Sequence, residues 1–118
     1  MSLIHEIVVG IKMNGAVASI ELDHCGAAFT IRAVAVKGDH RSGLVPIGPV
    51  GYVRDIDGVE VIGMDREMME EVAASFASAA VLAKTAGFDM CMMHAGHGWL
   101  LDQFLSPLSN TRTDEFGG

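Results

Sequence analysis

Positive charge, cysteine and aromatic side chains are scarce in this sequence. Its 118 residues include 8 lysines and arginines against 15 aspartates and glutamates, which gives a formal net charge of −7. Because binding to a nucleic-acid backbone or an anionic membrane surface is favoured by a surplus of basic side chains, we expect neither as a partner. Two cysteines, Cys25 and Cys91, cannot make a disulfide framework, so a reduced cytoplasmic setting is expected.

The sequence also predicts no membrane span, no signal peptide and no common phosphate-binding loop. The longest apolar stretch, residues 72–83, contains serines and is shorter than the ~20 residues of a spanning helix. The first residues lack the basic start and the cleavage site of a signal peptide. A chain of 118 residues is long enough for one domain and too short for two. Half of its residues are apolar, so this domain can form a hydrophobic core.

Helical and strand patterns alternate along the chain. The spacing of apolar residues predicts a helix that begins near Leu3 and ends before Asn14, followed by a strand over 16–22. A second helix is predicted from the capping residue Asp65 to Gly87, then a strand over 88–93 and a short helix over 99–105. Strand, connection, helix and strand make a βαβ unit with parallel strands, which places the chain in the α/β class.

Residues 27–63, between the first strand and the second helix, are irregular. Glycines and prolines recur every few residues, and only 31–36 and 59–62 have the composition of short strands. A loop excursion of this length is unusual and is often functional. Two strands and their helices leave open edges, so the sequence predicts a piece of a larger fold that self-associates.

Two histidines follow the second predicted strand directly. Parallel α/β folds carry their chemistry at the carboxyl ends of strands, and His94 and His97 occupy this position. Gly96 and Gly98 indicate a turn, in which two imidazoles can point at one ligand atom. Glu21, near the end of the first strand, is the second candidate, although a solvated carboxylate would explain it equally well.

Other interpretations of the histidine pair remain open. Backbone carbonyls would satisfy both rings without any function. A metal site would need ligands from separate strand ends, namely His24, Cys25 and Cys91, and no common metal-binding motif is present. Similarly, Arg112 with Asp114 and Glu115 can be explained as a solvated turn with a local salt bridge.

The final third of the chain carries a resemblance to a known family. It runs His94-Ala-Gly-His-Gly-Trp-Leu-Leu-Asp-Gln-Phe-Leu-Ser-Pro107 and then Asn110-Thr-Arg-Thr-Asp-Glu-Phe-Gly-Gly118. Together with Ile20-Glu-Leu-Asp-His-Cys-Gly26, this resembles the old yellow enzyme family of FMN-dependent oxidoreductases. The branch that it looks most like contains NADH:flavin oxidoreductases and enzymes similar to 2,4-dienoyl-CoA reductase.

The resemblance implies a partial (β/α)8 barrel, in which residues 1–118 form a single fragment of the FMN-binding domain. The fragment would hold roughly the third and fourth strands, because a whole barrel needs roughly 250 residues. The implied activity is hydride transfer from NAD(P)H through FMN to an activated C=C of a small unsaturated substrate, with the fragment alone inactive. The iron–sulfur region of some larger relatives has no counterpart in these residues.

The resemblance also implies roles for three residues. His94 and His97 match a pair that hydrogen-bonds the substrate oxygen, an oxyanion-type role. Glu21 stands where the family commonly has a glutamine that contacts the flavin pyrimidine edge. Trp99 replaces a tyrosine that protonates the substrate, and an indole N–H is too weak an acid for this task. The alternative is a small oligomerising or metal- or ligand-binding module that uses His94 and His97.

Overall fold

A computed structural model describes residues 3–29 and 45–117. The helices are α1 (Leu3–Met13), α2 (Arg66–Ala86) and α3 (Leu100–Leu105); the strands are β1 (Ser19–Leu22), β2 (Ile47–Gly48), β3 (Tyr52–Val53), β4 (Glu60–Gly63) and β5 (Met90–Met93). These elements fall into two compact units. The first unit comprises Met1–Leu22 and Glu67–His94, and the second comprises Asp23–Arg66 and Ala95–Gly118.

The first unit contains the predicted βαβ arrangement. Strands β1 and β5 pair in parallel, with Ser19 opposite Met90 and Leu22 opposite Met93. The backbone N–H of His94 donates to the carbonyl of Leu22 at 2.9 Å, so pairing continues one residue beyond β5. The prediction of two parallel strands is therefore confirmed, and both strands end at the same edge.

Polar contacts attach α1 to the turn that precedes β5. The Lys12 ammonium donates to the Asp89 carboxylate at 2.7 Å and to the Gly87 carbonyl at 3.2 Å. Asp89 also accepts a hydrogen bond from the backbone of Ala18 at 3.0 Å, just before β1. Because these donors favour the charged form, they lower the pKa of Asp89, with the Lys12 hydrogen bond as the main cause. Asp89 thus links α1, β1 and β5.

The structure corrects the expected burial of the second strand and of α1. All four residues of β5 are exposed, although the apolar run predicted a buried strand. A strand becomes buried when other elements pack over its two faces. Pairing covers only an edge, and among the described residues β5 pairs with β1 alone. Most of the predicted apolar face of α1 is likewise exposed, and its buried residue is Val8.

The second predicted helix is confirmed as α2, whose apolar residues at spacings of three and four were expected to form a core face. Ala83 of this face is buried, and its other positions are only half-buried: Met69, Val72, Phe76, Ala79 and Ala80. No helix among residues 3–29 and 45–117 has the length and apolar character needed to cross a bilayer.

The second unit contains a three-stranded sheet of order β2-β4-β3, where the sequence predicted mostly loop. Strand β4 corresponds to the strand predicted over 59–62, whereas the one predicted over 31–36 lies outside the described residues. Val61 of β4 is buried, as are Met64 and Leu100. Helix α3 packs against β2 and against a short 3-10 turn, Gly26–Ala28. The residues that follow His97 in the sequence therefore form part of the core of this unit.

Candidate functional site

A polar pair occupies the carboxyl edge of the parallel strands in the first unit. Glu21 lies opposite Met92 in the strand register. Because side chains alternate between the two faces of a strand, His94 projects from the same face as Met92 and therefore as Glu21. The backbone hydrogen bond from His94 to Leu22 holds this alignment. Two residues far apart in the sequence thus become neighbours on one face.

The side chains of Glu21 and His94 are in direct contact. Nδ1 of His94 lies 2.5 Å from Oε1 of Glu21. The histidine side chain is 18% exposed and the glutamate side chain is 51% exposed. The contact joins an imidazole nitrogen to a carboxylate oxygen, and a hydrogen bond to an ionised group is stronger than one between neutral groups. The two predicted site residues of the first unit therefore act as one polar group.

The third predicted site residue, His97, belongs to the second unit. It lies in a turn, as predicted, and its φ of 58° is unusual for a residue other than glycine. Gly98 follows with a φ of 75°, and the backbone of Trp99 donates to the carbonyl of Gly96 at 3.2 Å. His97 is exposed. Its cooperation with His94 stays a prediction that rests on the sequence motif.

A buried glutamine in the second unit supports the turn after His97, and sequence reasoning gave it no role. The Gln103 amide donates to the carbonyl of Gly98 at 2.6 Å and accepts from the backbone of Ala27 at 3.0 Å. The backbone N–H of Gly98 in turn donates to Asp102 at 2.7 Å. A glutamine within the predicted helix was the only signal in the sequence.

His24 and Cys25, which the sequence offered as further metal ligands, are held by local contacts and burial. Nδ1 of His24 accepts the backbone N–H of Gly26 at 3.0 Å, and burial lowers the pKa of the imidazole. Burial also raises the pKa of the Cys25 thiol, which disfavours the thiolate that binds metals. Within the described parts of the chain, no three His, Cys, Asp or Glu side chains gather as a possible metal site.

The Arg112 side chain joins the tail of the second unit to its sheet region. Its guanidinium donates twice to Asp114, at 2.9 and 2.5 Å, and also to the carbonyls of Pro49 and Met64, each at 2.7 Å. The predicted local salt bridge is therefore present. The side chain is only 16% exposed, so the tail is anchored rather than merely solvated.

Residues 2–118 match the model of the NADH:flavin oxidoreductase / NADH oxidase family. The chain belongs to this family. It is 37% identical over 112 residues to an NADPH dehydrogenase of Listeria welshimeri, and the match covers 95% of the chain and 30% of that relative. The chain therefore spans about a third of the length of this relative.

Solved structures show that the chain corresponds to part of a larger fold. Histamine dehydrogenase from Rhizobium sp. 4-9 superposes with a TM-score of 0.81 and 28% identity, over 98% of this chain and 17% of that one. An old yellow enzyme homologue from Zymomonas mobilis gives a TM-score of 0.80 at 24% identity, over 98% and 33%. This family member is thus α/β and corresponds to part of a (β/α)8 barrel, as predicted.

The carboxylate of Glu21 has hydrogen-bonding capacity beyond its contact with His94. A carboxylate has two oxygens and several lone-pair positions, so Glu21 can accept a second hydrogen bond while it is bound to Nδ1 of His94. Half of its side chain surface is exposed, which leaves room for a donor such as the flavin N3–H. Glu21 could therefore accept a hydrogen bond from a cofactor bound at this edge.

Proposed function

We propose that the protein of which this chain forms part is an FMN-dependent NAD(P)H oxidoreductase of the ene-reductase type. Its substrate would be a small molecule with a C=C bond activated by a neighbouring oxygen. The observation that carries the proposal is the Glu21–His94 pair at the carboxyl edge of parallel strands. Membership of the family supports the cofactor and the reductant. Because the chain spans only about a third of a relative, we expect it to be inactive alone.

Each predicted site residue has a separate task in this proposal. When bound, FMN supplies the hydride. Glu21 would accept the N3–H of the flavin and fix the position of the ring. His94 would donate a hydrogen bond to the substrate oxygen, where negative charge develops. His97 would be the second donor, a role supported by the sequence motif alone. The proton must come from a group other than Trp99.

A second candidate function is the oxidation of an amine. The 28% identity to a histamine dehydrogenase extends over 98% of this chain. The half-exposed carboxylate of Glu21 would attract a cationic amine, which a glutamine at this position would not do. In this alternative, electrons flow from the substrate to the flavin and NAD(P)H is not the donor.

An anaerobic flavin absorbance experiment on the full-length protein separates the two functions. An ene-reductase loses its oxidised flavin absorbance when NAD(P)H is added and regains it when an α,β-unsaturated ketone follows. An amine oxidoreductase loses the absorbance when an amine is added without any nicotinamide. Absence of bound flavin in the purified full-length protein would contradict both.

We also propose that residues 1–118 belong to a single barrel domain and that the isolated chain self-associates. The supporting observation is the exposed apolar strand β5, together with exposed residues of both long helices. Unpaired strand edges recruit further strands, and a second copy of the chain provides them.

A further inference from the structure

The contact between Glu21 and His94 has a chemical consequence that neither residue has alone. An ionised carboxylate can only accept hydrogen bonds. At 2.5 Å between Nδ1 and Oε1, the hydrogen must therefore reside on the histidine nitrogen. The strand register fixes both partners, because Glu21 and His94 project from the same face of paired strands.

We propose that Glu21 is a positioning residue that holds His94 in its Nδ1–H form, so that Nε2 accepts a hydrogen bond when the ring is neutral and donates one only when the ring is the imidazolium. This role is distinct from the contact with the flavin edge that the family resemblance implies. One oxygen of the carboxylate orients the imidazole, and the remaining acceptor capacity serves the flavin.

The pair therefore selects the kind of ligand atom that His94 can bind, a consequence that rests on the proposed function. A developing oxyanion needs a donor and would require the imidazolium at Nε2. A ligand N–H or O–H group needs an acceptor and would bind the neutral ring. Ene reduction and amine oxidation thus require different protonation states of the same histidine, and Glu21 restricts the choice to these two.

The test is a two-bond 1H–15N correlation spectrum of this chain labelled with 15N-histidine. The spectrum distinguishes the two neutral tautomers and the imidazolium by the shifts of the ring nitrogens, and His94→Gln assigns the signals. We expect the neutral ring of His94 to show the Nδ1–H pattern. A neutral ring with the Nε2–H pattern in the unmodified chain would overturn the proposal before any variant is made.

Two variants then locate the cause of the tautomer. Glu21→Ala removes the acceptor, and we expect loss of the Nδ1–H pattern in favour of the Nε2–H form or a mixture. Glu6→Gln removes the same charge from an exposed position of α1 in the same unit, and the Nδ1–H pattern should persist. Persistence of that pattern in Glu21→Ala would contradict the proposal.

The outcome is separable from that of the proposed function, because the spectrum needs neither flavin nor substrate. A full-length protein that binds no flavin would refute the function and leave the tautomer assignment standing. A wrong tautomer alongside a flavin that responds to NAD(P)H would refute only the role of Glu21.

Discussion

Glu21 shows how one residue can change the chemistry of a site without changing the fold. The family resemblance places it where a neutral glutamine is common, and the structure places its carboxylate against the His94 ring. A carboxylate adds negative charge at the position proposed for the flavin edge, and it also fixes the direction of the histidine hydrogen bond. Both effects are properties of the charge.

Replacement of Glu21 by glutamine should raise the midpoint potential of FMN in the full-length protein. Loss of the negative charge stabilises the anionic reduced flavin. A change of ~1–3 kcal/mol in this interaction corresponds to roughly 20–60 mV for a two-electron couple. A redox titration of both proteins measures the shift, with Glu6→Gln as the control. An unchanged or lower potential would contradict a contact between Glu21 and the flavin.

Asp89 should make the stability of the chain dependent on pH in the acid range. Its pKa is lowered below the ordinary value of 3.8 in the folded chain, so the unfolded chain takes up the proton first as the pH falls. The contribution of Asp89 is therefore complete at neutral pH. It declines as the pH falls below about 3.8 and is lost below the folded pKa.

Urea unfolding of the unmodified chain and of Asp89→Asn at several pH values measures this effect. We expect the unmodified chain to be the more stable at neutral pH, and the difference to shrink in acid. Asp55→Asn, at an exposed position of the second unit, is the matched control. A difference that is constant down to acid pH would contradict the role of the Lys12–Asp89 pair.

At the scale of elements, the tail of the second unit depends on a charged anchor. Arg112→Lys loses the double contact with Asp114 and cannot supply both backbone carbonyls that the guanidinium holds. We expect a loss of about 2 kcal/mol in the free energy of unfolding, since charged hydrogen bonds are worth roughly 1.5–3 kcal/mol. Denaturant unfolding measures it.

Arg66→Lys is the matched control for Arg112→Lys. Arg66 also forms an ion pair, with Glu115, and lies over the ring of Phe116, but its side chain is 58% exposed. Exposed pairs contribute roughly 0–1 kcal/mol, so this variant should lose much less stability. Equal losses for the two variants would show that the backbone contacts of Arg112 contribute nothing.

Two glycines in regular elements should respond to alanine in opposite directions. A Cβ at Gly63 of β4 would lie 2.7 Å from the backbone nitrogen of Gly51, so the sheet must shift. Gly10 of α1 has nothing within 4 Å of a new Cβ. We expect Gly63→Ala to destabilise by roughly 1–3 kcal/mol and Gly10→Ala to stabilise by about 0.5–1 kcal/mol. Thermal unfolding measures both effects. Stability changes of the same sign in the two variants would contradict the close packing at Gly63 or the open space at Gly10.

Local sequence patterns predicted the helices and strands better than they predicted the burial of those elements. Apolar spacing predicted the helical structure of α2, and Asp65 and Gly87 predicted its limits, because periodicity and capping are local properties of the sequence. The run 88–93 predicted β5 but not its exposure, since the burial of a strand depends on neighbours that its own residues do not encode. In the second unit, β4 was predicted over 59–62, whereas β2 and β3 have two residues each and are too short to leave a pattern.

In the candidate site, too, the sequence predicted individual residues but not the contacts between them. Sequence reasoning named Glu21 and His94 separately, yet their contact depends on the register between β1 and β5, which only the folded strands set. The sequence predicted no role for Gln103, because its importance lies in the backbone groups that fold around it. The family motif identified residues, and the fold determined which of them meet.

At the scale of the whole molecule, the exposed apolar residues of β5 should make the isolated chain self-associate. Sedimentation at increasing concentration should show a rising average mass. Met90→Lys adds a charge to the strand at a side chain position that is 54% exposed, and it should shift the chain towards monomer. Leu108→Lys, at a turn residue that is 94% exposed, should not. A monomer at all concentrations would contradict self-association.

The pairing of β1 with β5 also determines when the site can form during synthesis of the nascent chain. Ala18 and Asp89, which join the starts of these strands, are 71 residues apart in the sequence. A ribosome that adds ~5–20 residues per second would need roughly 4–14 s to deliver the second strand after the first. During that interval the half-formed site holds its glutamate but not its histidine, so the chemistry of the edge is assembled only when translation of this stretch is nearly complete.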